Sequence, residues 1–125
     1  MPSTNYCIYL RKSRADAELE RLGQGETLAR HRRTLTELAE RCGYQIGEVY
    51  EEIVSGETIA ARPQMQRLLA DVEQGRWQGV LVMELERLAR GDSIDQGIVA
   101  QAFRLTGTLI ITPQKVYDPQ NEFDE

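Results

Sequence analysis

Three short segments of this 125-residue chain carry residue types suited to handling a phosphate. The first is Tyr9-Leu10-Arg11-Lys12-Ser13, at the end of a short apolar run. A serine hydroxyl is a weak nucleophile and a phosphodiester anion repels it, so attack needs guanidiniums that neutralise the developing charge. The second is Leu85-Glu86-Arg87-Leu88-Ala89-Arg90. Its two arginines are three residues apart, so on one helical turn they share a face and can reach one phosphate, while Leu85 and Leu88 anchor the turn. The third is Ser55-Gly56, followed by Arg62 immediately before Pro63. Taken singly, the segments read better as a loop start, a solvated charge pair and a helix cap or surface arginine.

The elements that must position these residues alternate along the chain. Residues 5–11 read as a short buried strand and residues 14–26, interrupted by Gly23 and Gly25, as a long loop. From Thr27, apolar residues at Leu28, Leu35, Leu38, Ala39 and Cys42 recur at helical spacing, and Gly43 is placed to end the helix. Residues 44–50 suggest a second strand. Pro63 opens a helix with the stripe Met65, Leu68, Leu69 and Val72, closed by Gly75. Residues 79–85 are the clearest buried strand. A helix from Ser93 to Leu105, capped by Asp92 or Ser93, ends at Gly107, and residues 108–112 form a fourth strand stopped by Pro113. The tail, from Asp118 on, is acidic and reads as frayed.

This alternation predicts an α/β three-layer sandwich: a mostly parallel central sheet of four to five strands with helices on both faces. In such sheets the working residues lie just beyond the carboxyl ends of the strands. Arg11 ends the first strand and Ser13 follows it, Ser55 follows the second, and Glu86, Arg87 and Arg90 follow the third.

Bulk properties narrow the function classes. One domain of this length can bury a real core, and no apolar run is long enough to span a bilayer. The N-terminus lacks a basic region leading into an apolar stretch, so a cytoplasmic protein with no membrane partner is expected. Cys7 and Cys42 form no disulfide framework and read as small buried hydrophobes. The net charge of −5 argues against a dedicated DNA-binding module. Thirteen of the fifteen basic residues are Arg, however, and Arg grips phosphate with a planar fork that Lys lacks.

In this order, the three segments resemble the serine recombinase family, the resolvases, invertases and serine integrases. The pattern is a Tyr-x-Arg-x-Ser strand end, here Tyr9, Arg11 and Ser13. A Ser-Gly loop with a following arginine comes next, here Ser55, Gly56 and Arg62, and then Leu85, Arg87, Leu88 and Arg90. The long spacing after Ser13 and the Glu86–Asp92 stretch look most like the large integrase or transposase branch. The resemblance implies that Ser13 is the nucleophile and forms a 5′-phosphoserine link to DNA. It also implies that Arg11, Arg62, Arg87 and Arg90 bind the scissile phosphate, with no metal and no ATP or other cofactor. The DNA partner, and a homo-oligomer passing from dimer to tetramer, follow from the same resemblance. So does the expectation that residues 1–125 are a catalytic domain cut off before a long dimerisation helix and the DNA-binding domains.

Two positions depart from the pattern. Glu86 stands where the family has Asp, keeping the carboxylate on a longer arm; it would orient Arg87 or help protonate the leaving oxygen. His31, the only histidine, stands where the family often has a phosphate-contacting Gln on the first helix, although surface or core filling is the commoner use of such a residue. Tyr9 and Ser55 complete the lesser phosphate-site candidates. Two other functions compete. A metal-dependent nuclease or phosphatase would draw on Glu51, Glu52 and Glu86, but no Asp ends the first or third strand. A non-catalytic receiver-like regulatory domain would need an acidic pair where this chain has Arg11-Lys12-Ser13.

Overall fold

The computed structural model describes residues 5–12, 18, 21–23, 28–53, 63–83 and 93–118. The elements run β1 (Tyr6–Lys12), α1 (Leu28–Cys42), β2 (Ile46–Ile53), α2 (Pro63–Glu73), β3 (Gly79–Leu81), α3 (Ser93–Thr106), β4 (Leu109–Ile111) and β5 (Val116–Tyr117). They form one five-stranded sheet in the order β2-β1-β3-β4-β5. Four strands are parallel, and β5 pairs antiparallel to β4.

β1 explains why both faces are covered. Successive side chains on a strand alternate faces, and here both sets are apolar. Cys7 and Tyr9 join Tyr50, Met65, Leu68, Val72, Val99 and Phe103 in one core, under α2 and α3. Ile8 and Leu10 join Leu35, Leu38, Ala39, Leu81 and Ile111 in a second, under α1. The sheet therefore separates two cores, giving the three layers expected from the sequence.

Helix endings follow local chemistry. Gly43 has φ +77°, a left-handed conformation that costs glycine little. It allows the Gly43 amide to reach Glu40 O at 3.4 Å and the Tyr44 amide to reach Ala39 O at 2.8 Å. This pair of bonds satisfies the last carbonyls of α1. The same pattern closes α2, through Gly75 and Arg76.

The structure adjusts several sequence readings. β2 begins later and runs further than residues 44–50, because Tyr44 and Gln45 are used in the cap and the link to Tyr6. β3 is shorter than residues 79–85, although the Val82 amide still donates to Ile111 O at 2.9 Å. Within the stretch read as a loop, the Leu22 amide donates to Glu18 O at 3.1 Å, the bond of a helical turn. β5 escaped the sequence reading because two residues carry no periodicity; a turn held by Thr112 and Lys115 creates it. Of the two cysteines, Cys7 is buried but Cys42, the last residue of α1, is exposed, since the apolar stripe outruns the sheet there.

On the α2 side, the buried Tyr50 hydroxyl donates to Asp71 Oδ2 at 2.5 Å and accepts from Trp77 Nε1 at 3.0 Å. Burial, and next the bond to Asp71, push the Tyr50 hydroxyl well above the ordinary tyrosine range.

Candidate active site at the carboxyl edge of the sheet

The strand order sets the position of the site. β1 connects outward to β2 on one side, while β3 and β4 lie on the other. The chain thus changes direction between β1 and β3, the kind of switch point where parallel sheets open a crevice at their carboxyl edge. β1 ends at Lys12, so Ser13 is the next residue in sequence, and the Glu86–Arg90 segment follows β3. Ser13, Ser55, Arg62, Glu86, Arg87 and Arg90 lie outside the described residues.

Arg11, Tyr9 and His31 are described, and all three are buried. Arg11 is only 6% exposed, in β1 beside Glu52 of β2. Residues paired in register share a sheet face, so Arg11, Tyr9, Tyr50 and Glu52 all lie on the α2 side. His31 is 7% exposed and stands one helical turn before Leu35 on the core-facing stripe of α1. The helix places it in the second turn from its start, near the carboxyl edge.

Glu52 is the residue that sequence reasoning missed in this role. Its carboxylate is buried and accepts three hydrogen bonds. The Tyr9 hydroxyl donates to Oε2. The Gln64 amide donates to Oε1 at 3.1 Å and the Met65 amide to Oε2 at 3.2 Å. Helix N-termini leave amides without intrahelical partners and carry partial positive charge, so an inward carboxylate is a strong cap. Glu52 therefore ties the end of β1 to the start of α2, the helix that Arg62 directly precedes. Only a period-2 reading extended beyond Tyr50 could have shown that Glu52 points inward and Glu51 outward.

The same bonds bear on the metal-site alternative. Glu51 is ion-paired with Arg32 at 3.2 Å, and Glu52 serves Tyr9 and two amides. Among the described residues no three His, Cys, Asp or Glu side chains cluster as metal ligands.

Of the candidate phosphate-holding arginines, the described residues include Arg11, buried near the carboxyl end of β1. Residues 6–125 match the model of the resolvase N-terminal domain. The N-terminal catalytic domain of TP901-1 integrase superposes with a TM-score of 0.72 at 25% identity, covering 94% of this chain and 83% of that one. The C-terminal catalytic domain of ISC1926 TnpA, an IS607-like serine recombinase, gives 0.68 at 25% identity over 86% of this chain and 68% of the other. A resolvase family site-specific recombinase from Streptococcus pneumoniae has the same fold, with a TM-score of 0.66 at 20% identity over 94% and 78%. The chain belongs to the resolvase N-terminal domain family and is a serine recombinase catalytic domain, whose activity is site-specific DNA recombination. That family acts on DNA, generally as oligomers. Among the described residues, no helix is long and apolar enough to cross a membrane.

Proposed function

We propose that Ser13 is the nucleophile of this recombinase and that Arg11, Arg62, Arg87 and Arg90 hold the scissile phosphate. The Ser13 Oγ attacks phosphorus, the bond to the 3′ oxygen breaks, and a 5′-phosphoserine ester forms. The hydroxyl proton leaves Ser13 and the departing 3′ oxygen takes one up. Reversal by a new 3′ hydroxyl rejoins the strands, so each bond broken is matched by one made. The guanidiniums stabilise the charge that builds on the phosphate oxygens. Glu86 orients Arg87 or protonates the leaving oxygen, and Ser55 and His31 line the phosphate site at its margin. Tyr9, whose hydroxyl is donated to Glu52, acts as a positioning residue for the β1 end.

The observation that supports this reading is the switch point between β1 and β3, with buried Arg11 two residues before Ser13. A net charge of −5 suits a domain that commits its arginines to the reacting phosphate rather than to general attraction to nucleic acid, and that pairs into dimers and then tetramers on the DNA.

The test is covalent capture. The recombinase is incubated with its own site in excess chelator, and protein–DNA adducts are resolved under denaturing conditions. Adducts are expected from the unmodified protein and none from Ser13→Ala, whose stability should change by no more than about 1 kcal/mol. Adducts that persist in Ser13→Ala would dismiss Ser13, and chelator-sensitive cutting without adducts would return the metal-dependent alternative.

A further inference from the structure

We draw no further inference here: the strongest candidate, the partly buried apolar margin of the sheet face under α1, formed by Tyr6, Tyr44, Ile46, Met83 and Leu109, is a surface patch for which nothing in the structure shows what covers it.

Discussion

The Tyr9 hydroxyl donates to the Glu52 carboxylate across 43 residues of sequence, inside the layer between the sheet and α2. The same carboxylate holds two amides at the start of α2, so the bond joins the strand that leads to Ser13 with the helix that follows Arg62. Glu52→Gln keeps the shape but loses the charge, and should cost about 1–3 kcal/mol in urea unfolding. Tyr9→Phe leaves one buried oxygen short of a donor and should cost about 1–2 kcal/mol. A double-mutant cycle is expected to return coupling of about 0.5–3 kcal/mol. Strict additivity would mean that the pair is not a unit.

Arg87→Lys keeps a positive charge and removes the bidentate fork. If Arg87 holds the scissile phosphate, adduct formation by the recombinase should fall by at least about 100-fold, with binding to the site little changed. A lysine variant that cleaves within a few-fold of the unmodified protein would place Arg87 outside the phosphate site.

Tyr50 gives a pH dependence of known sign. Its hydroxyl is raised above the ordinary value of 10.0, first by burial and then by its bond to Asp71. The folded state therefore holds this proton more tightly than the unfolded chain does. The stability it contributes is fully present below pH 10 and is lost as the pH climbs above that value. Thermal melts from pH 9 upward should show a steeper fall for the unmodified chain than for Tyr50→Phe. At pH 7, Tyr50→Phe should itself cost about 1–3 kcal/mol, because Trp77 Nε1 and Asp71 lose their buried partner.

The 125-residue chain by itself should bind duplex DNA weakly at near-physiological salt, with Kd above about 1 μM. A few arginines at one edge cannot offset a net charge of −5 over a whole binding surface. A mobility-shift titration that saturated below that concentration would show that the acidic surface is turned away from the DNA more effectively than net charge suggests.

Local pattern accounts for much of what was legible in advance. Alternating apolar strands and amphipathic helices specified the layered α/β fold, because the periods of 2 and 3.6 are written residue by residue. The glycines at 43, 75 and 107 marked three helix ends, since each takes a positive φ. The ordered motifs around Ser13, Ser55 and Arg87 pointed to the recombinase family by their resemblance to its pattern, and residues 6–125 match the family model. The tertiary structure decided what depends on lateral neighbours. It turned Glu52 inward to Tyr9 and α2 while Glu51 turned outward to Arg32, though the two are adjacent and chemically alike. It buried His31 and left Cys42 exposed at the far end of the same helix. It also made β5 from two residues, through a turn closed by Thr112 and Lys115. These outcomes are set by register and by the extent to which one element overlaps the next, and partners 43 residues apart leave no period in the sequence from which to read them.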